Sequence, residues 1–147
     1  MKKKPEKTFA QLGYPGRLIA VEGIDGSGKS TQIYLLQRWL ELQGLKVFFS
    51  EWNSSELVKS ATRRGKAERL LTPTTFSLIH ATDFADRLEH EILPALRAGF
   101  VVLTDRYIFS LMARAIARGR DPRWIETIAG IALVPHAIYY LRAEVED

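Results

Sequence analysis

The sequence predicts an α/β fold: a parallel sheet of about four strands with helices on both faces. Two observations carry this prediction. Short apolar, β-prone runs alternate with helical stretches along nearly the whole chain. Three separate segments of polar or glycine-rich sequence, at Gly23, Glu51 and Asp105, begin where such a run ends, which is where open parallel sheets gather ligands.

Leu18-Ile19-Ala20-Val21 reads as a buried strand, and Ser30 to Leu42 as a helix whose Ile33, Leu36 and Leu40 share a stripe with Trp39 beside it. Gly44 stops that helix. Lys46 to Ser50 is a second strand, and Glu51 to Ser55 a polar connection. Ser54 or Ser55 caps a helix running towards Arg64, which Gly65 is expected to break. Thr72-Pro73 opens a long helix from Pro73 to about Arg97, closed by Gly99, with Pro94 bending its last turn. Phe100 to Thr104 is a third strand, followed at once by Asp105-Arg106-Tyr107. Helices follow over Phe109–Ala117 and from Asp121-Pro122 to Ala129, and Ala137–Leu141 is the fourth strand. Residues 1–16 end in Gly13-Tyr14-Pro15-Gly16 and read as a flexible extension, leaving 17–147 as one domain. Trp39, Phe48, Phe49, Tyr139 and Tyr140 are expected in the core.

Composition narrows the function. The 147 residues, 46% hydrophobic, suit one domain with a real core. No apolar run approaches the ~20 residues that cross a membrane, and no apolar segment follows the basic start to make a secretion signal. The chain has no cysteine, which excludes disulfides and thiolate metal sites and is compatible with the cytoplasm. Much of the net charge of +4 sits on Met1–Lys7, with four lysines against one glutamate. A nucleic-acid binder needs a basic face on its folded part, so neither nucleic acid nor membrane is expected as a partner.

Gly23-Ile24-Asp25-Gly26-Ser27-Gly28-Lys29-Ser30 matches the phosphate-binding pattern G-x-x-x-x-G-K-[ST]. A strand before it and a helix after it give that pattern its meaning and make the sheet one of the P-loop NTPase type. Glycines let successive N–H groups turn towards one anion at a helix N-terminus. Residues 23–31, Thr31 included, are therefore the expected ATP-binding segment. Lys29 neutralises the β- and γ-phosphates, and the Ser30 hydroxyl ligates Mg²⁺. Asp105, at the end of an apolar strand, is the second expected Mg²⁺ ligand. Arg106 beside it has the fork geometry to clamp phosphate oxygens. A carboxylate at Asp25 is repelled by bound phosphates, so it is expected to orient an arginine, a metal water or an acceptor hydroxyl. His80, His90 and His136 lack metal-ligand spacing.

The run Val21 to Gln32 resembles the opening of thymidylate kinases. Ile92-Leu93-Pro94-Ala95-Leu96 through Gly99, Asp105-Arg106-Tyr107 and Ser110 resemble the middle of that family. The likeness extends over roughly residues 17–142. It implies a nucleoside-monophosphate kinase that moves the γ-phosphoryl of ATP to a deoxynucleotide, dTMP in the family, and that works as a cytoplasmic homodimer. By the same likeness Lys29, Arg106 and Asp25 carry the catalysis. Glu51, His80, Asp83, Phe84, Arg87 and Arg106 face the acceptor.

Several positions depart from the family's pattern. Where the family has Arg-Glu-Pro-Gly this chain has Ser50-Glu51-Trp52-Asn53, so Glu51 matches and the arginine does not. The family's stacking phenylalanine and the arginine four residues on are His80 and Phe84, while Asp83 matches. Arg87 is one turn beyond Asp83, as a displaced cation or as an ordinary i,i+4 ion pair. A Tyr-Gln pair after Asp-Arg-Tyr is Arg114-Ala115. The basic lid that follows the family's fourth strand is expected to be absent after Leu141-Arg142, leaving the domain incomplete at its C-terminus. Two further readings therefore stand beside a dTMP kinase: an ATP-binding pseudo-enzyme, and a kinase for a different acceptor. The stretch Arg63-Arg64-Gly65-Lys66 reads as a solvated face before a phosphate contact.

Overall fold

A computed structural model describes residues 13–144 of the chain. Strand β1 (Arg17–Gly23) leads into helix α1 (Lys29–Leu42), then β2 (Val47–Glu51), α2 (Lys59–Ala67) and α3 (Pro73–Arg87). A π-helical turn over Leu88–Ile92 joins α3 to α4 (Leu93–Arg97). Then follow β3 (Val101–Asp105), α5 (Ile108–Ala117), α6 (Pro122–Ala129) and β4 (Ala137–Leu141). The four strands form one sheet in the order β2-β3-β1-β4, and every pairing is parallel. Parallel strands buried on both faces need apolar side chains in both directions. Leu18 and Ala20 of β1 pack with α3 to α6, whereas Val21 and half-buried Ile19 pack with α1 through Ile33, Leu36 and Leu40. All five residues of β3 are buried.

The α/β class and the strand positions agree with the sequence expectation; several local details differ. Gly65 does not end a helix but lies inside α2, where a Cβ would come within 2.7 Å of the Leu71 side chain. The glycine serves close packing rather than termination. Ser55 opens the turn ahead of α2: its hydroxyl accepts from Leu57 N and its carbonyl from Lys59 N, so the helix starts at Lys59. The long helix expected over 73–97 changes register at Leu88–Ile92. Pro94 has no N–H to donate and its ring crowds the carbonyl four residues earlier; a wider turn relieves both.

Of the five aromatics expected in the core, only Phe48 packs there as a half-buried side chain. Trp39, Phe49, Tyr139 and Tyr140 are exposed. Trp39 lies off the Ile33–Leu36–Leu40 stripe, and β2 and β4 are the outer strands among the described residues. Most of the expected extension over 1–16 lies outside the described residues. Its last part is joined to the body, with Gly16 N donating to Leu96 O and the Arg97 guanidinium over the Tyr14 ring.

A buried ionic network lies beneath the carboxyl end of β2. Asp83 and Arg87, expected as a surface pair or an acceptor contact, are both fully buried. Asp83 accepts from Asn53 N, Ser55 N and Arg87 Nε, at 3.1, 2.9 and 3.1 Å. Arg87 Nη1 donates to Ser50 Oγ at 2.9 Å. The pair thus ties the loop after β2 to the C-terminal end of α3. Removing one partner of a buried pair strands the other charge. Asp83→Asn is expected to lower the unfolding free energy by about 3–5 kcal/mol. Chemical denaturation measures it, and an unchanged midpoint would contradict the assignment.

Candidate active site

The segment between β1 and α1 turns on three glycines. Gly23, Gly26 and Gly28 have φ of 155°, 79° and 81°, values that L side chains rarely adopt. A Cβ at Gly23 would also meet Leu141 O and Ser27 Oγ, each at 2.9 Å. Helix α1 begins at Lys29 with no side-chain cap. Ile24, Asp25, Gly26 and Gly28 are exposed, as are Ser30 and Thr31 on the first turn. The buried Ser27 hydroxyl has no hydrogen-bond partner among the described residues. The loop is therefore a curved, accessible run of backbone at a helix N-terminus, suited to a polyphosphate.

Lys29 is buried and its ammonium is paired with Asp105 Oδ1. Asp105, Ser30 and Glu51 line one cleft of about 280 Å³ beside the loop. Register explains the grouping, since Glu51 of β2 is the direct parallel neighbour of Asp105 on β3. Glu51 is thus placed on the side of the loop and its lysine, and it does not line the second cavity described below. Among the described residues no cluster of three or more His, Asp or Glu forms a metal cage. A hydroxyl with one or two carboxylates is the donor set that suits Mg²⁺ bound largely through phosphates and water. The residues present fit that ion.

Arg106 follows Asp105 with φ of 62°, in the left-handed region. Its N–H donates to Val21 O at 2.8 Å, which holds it at the end of β1. Its Nη2 donates to Asp25 Oδ1 at 2.6 Å and approaches Gly23 O at 3.4 Å. The hydrogen bond from Arg106 keeps the Asp25 carboxyl below the usual carboxylate range, so it is ionised at neutral pH. Glu22, which sequence reasoning left without a role, braces the next turn. It is buried and accepts from Tyr107 N at 2.7 Å and Ser110 Oγ at 2.6 Å. Burial pushes its carboxyl up.

Arg106 and Asp25 open onto a second, larger cavity of about 550 Å³ between α2, α3 and α5. Its floor is aromatic. Trp52 stacks on His80 with centroids 4.6 Å apart and planes at 20°, and Phe76 meets the same imidazole at 4.4 Å. Burial pushes the His80 imidazole down to about 4, so it is neutral. Lys66, Arg69, Arg114 and Arg118 also line the cavity.

Of the six residues expected on the acceptor side, His80 and Arg106 line this cavity. Phe84 does not: it is fully buried against Tyr107 with ring centroids 5.1 Å apart. Asp83 and Arg87 are sealed beneath the floor, because they serve the loop after β2. Sequence reasoning missed Trp52, Phe76, Arg69 and Arg118 and took Lys66 for part of a solvated face. The helical spacings Phe76/His80 and Arg114/Arg118, four residues each, were the available signal.

A family model described as thymidylate kinase matches residues 21–147. A "Probable thymidylate kinase 2" of Saccharolobus solfataricus is 47% identical over 131 residues, 89% of this chain and 61% of that protein. A "Probable thymidylate kinase" of Pyrococcus horikoshii is 38% identical over 138 residues, 90% of this chain and 67% of that protein. The chain thus spans about three fifths to two thirds of the length of these relatives. The crystal structure of thymidylate kinase from Ehrlichia chaffeensis superposes with a TM-score of 0.76 at 24% identity, covering 86% of this chain and 74% of that one. This likeness confirms the P-loop NTPase fold. Loop, sheet order and family match agree, and the chain belongs to the thymidylate kinase family.

Proposed function

We propose that the chain forms the donor and acceptor sites of a nucleoside-monophosphate kinase, with ATP·Mg²⁺ as donor and dTMP, by family resemblance, as acceptor. One observation carries the reading: the phosphate loop and the 550 Å³ cavity meet at the Arg106–Asp25 pair. A phosphoryl group held by Lys29 therefore lies next to the cavity that would hold an acceptor. Oxygen of the acceptor phosphate attacks the γ-phosphorus, the bond from that phosphorus to the β–γ bridging oxygen breaks, and ADP leaves. No covalent enzyme intermediate is needed.

Residues 23–31 offer backbone N–H groups to the donor phosphates. Lys29 neutralises the charge that gathers on the transferring group. Ser30 and Asp105 would hold Mg²⁺, with Glu51 lining the same cleft; the ion would supply neutralising charge to the donor phosphates. Arg106 places the acceptor phosphate, and Asp25 fixes the guanidinium. Half-buried Trp52, backed by the buried and uncharged His80 with Phe76 beside it, gives the aromatic floor for a base. Asp83, Phe84 and Arg87 act from below by holding that floor in place. Cytoplasmic location and a homodimer through the helical face belong to the same family reading. Among the described residues no helix is long and apolar enough to cross a membrane.

The Trp52–His80–Phe76 floor favours a second reading beside dTMP, a kinase for a different base. Titration with dTMP, dUMP, dCMP, dAMP and dGMP in the presence of ATP·Mg²⁺ separates the two.

Lys29→Ala is expected to reduce ATP-dependent formation of nucleoside diphosphate by at least about 10³-fold, judged by the size of comparable charge losses in phosphoryl transfer. Coupled detection of ADP measures it. Absence of phosphorylation of all five monophosphates by the unmodified chain would overturn the kinase assignment. His80 also makes stability depend on pH. Between about pH 6.5 and about 4 the unfolded chain binds its proton and the folded one does not, so stability falls as pH falls through that window. Measured against His80→Phe, the wild-type melting temperature should drop progressively from pH 6.5 to 4. A difference independent of pH would show His80 to be charged or exposed.

A further inference from the structure

The acceptor cavity holds more cation than one arginine at the loop explains. Arg114 and Arg118 are one helical turn apart on α5 and both line it. Among the described residues neither is in an ion pair. Each guanidinium lies over a ring of the floor instead, Arg114 5.1 Å from the Trp52 centroid and Arg118 4.0 Å from that of Phe76. Arg118 Nη1 donates to Arg114 O at 3.2 Å, and the other N–H groups of the two guanidiniums are uncommitted within the described residues. Stacking on a ring orients a guanidinium while leaving its N–H edge for an anion.

Burial, and then the charges of Arg106 and Arg118, lower the Arg114 pKa, against a smaller opposing pull from the Asp25 and Glu22 carboxylates. An anion bound between these groups relieves that repulsion. The residues at positions 50 and 84 bring no cation: Ser50 is a hydroxyl bonded to Arg87, and Phe84 is core. The cavity's positive charge comes from α2, α5 and Arg106.

We infer that Arg114 and Arg118 form, with Arg106, the clamp for the acceptor's phosphate, so that this site selects nucleotides over nucleosides through α5. The inference rests on the acceptor cavity proposed above. It assigns the phosphate to the Arg106–Arg114–Arg118 edge and the base to the Trp52–His80 floor. Arg114 is half-buried and Arg118 exposed, so glutamine at either position leaves the core intact.

The test is isothermal titration of the full chain with the five nucleoside monophosphates and their nucleosides, followed by Arg114→Gln, Arg118→Gln and the double variant. The control is Arg63→Gln, on the exposed side of α2. The expected result is that the double variant binds the preferred monophosphate at least about tenfold more weakly, the scale of one lost charge-assisted contact or more. Affinity for its nucleoside and for ATP·Mg²⁺ should stay within about threefold, a shift small against one lost charged contact. Unchanged monophosphate affinity would overturn the clamp and leave the kinase reading standing. Equal weakening of nucleotide and nucleoside would also overturn it, by showing that the arginines only support the floor. If the wild-type chain binds none of the monophosphates, the acceptor cavity itself is misassigned and the clamp falls with it.

Discussion

Arg106 is the residue on which the site depends. Its left-handed backbone makes two consecutive residues serve different clefts, Asp105 the Lys29 side and Arg106 the cavity side. A non-glycine residue in that region costs about 1–3 kcal/mol unless neighbours hold it there. Here the neighbours are specific. Val21 O takes its N–H, Asp25 takes its guanidinium, and Glu22 fixes the next two anchor points at Tyr107 and Ser110. All these partners come from the end of β1 and the loop after it. The parallel register of β1 against β3, with Val21 opposite Asp105, brings them together. The central strand pair therefore aligns the loop with the cavity.

The aromatic floor of the larger cavity has its own dependence, on one buried carboxylate. Asp83 binds two backbone N–H groups of the loop that carries Trp52, and Arg87 offsets its charge. Such a pair is weak as a source of net stability, but it specifies one loop conformation because each alternative leaves a buried charge unpaired. Trp52 is placed over His80 as a consequence. The neutral imidazole is stacked on Trp52 and meets Phe76 at a tilt, and the Arg114 and Arg118 guanidiniums lie over those two rings.

What was legible in the sequence follows from how local each feature is. The phosphate loop depends on glycines at fixed offsets between a strand and a helix, and reads directly. Strand positions followed from apolar runs, and Asp105 with Arg106 from the end of one of them. The failures all concern long-range packing. Gly65 resembles a helix stop until Leu71 is seen against it, and Pro94 marks a bend without revealing that one turn widens to the π form. Asp83 and Arg87 have the spacing of a surface pair, and only the loop from β2 shows why they are buried. Glu51 was assigned to the acceptor, whereas strand register sets it beside Asp105. Arg69 carried no motif, and Arg118 only its four-residue spacing from Arg114, because a cavity between three helices leaves little trace along the chain.

The central claim is that the phosphate loop and the aromatic cavity are two halves of one site, a phosphoryl group apart. A ligand joining adenosine to the 5′-oxygen of the preferred deoxynucleoside through a five-phosphate bridge addresses both halves at once. Calorimetry in the presence of Mg²⁺ should find it bound about 10²–10⁴-fold more tightly than ATP or the monophosphate alone, the gain expected when two matched sites are spanned. Affinity no higher than that of ATP would place the two ligands in separate sites and contradict the account.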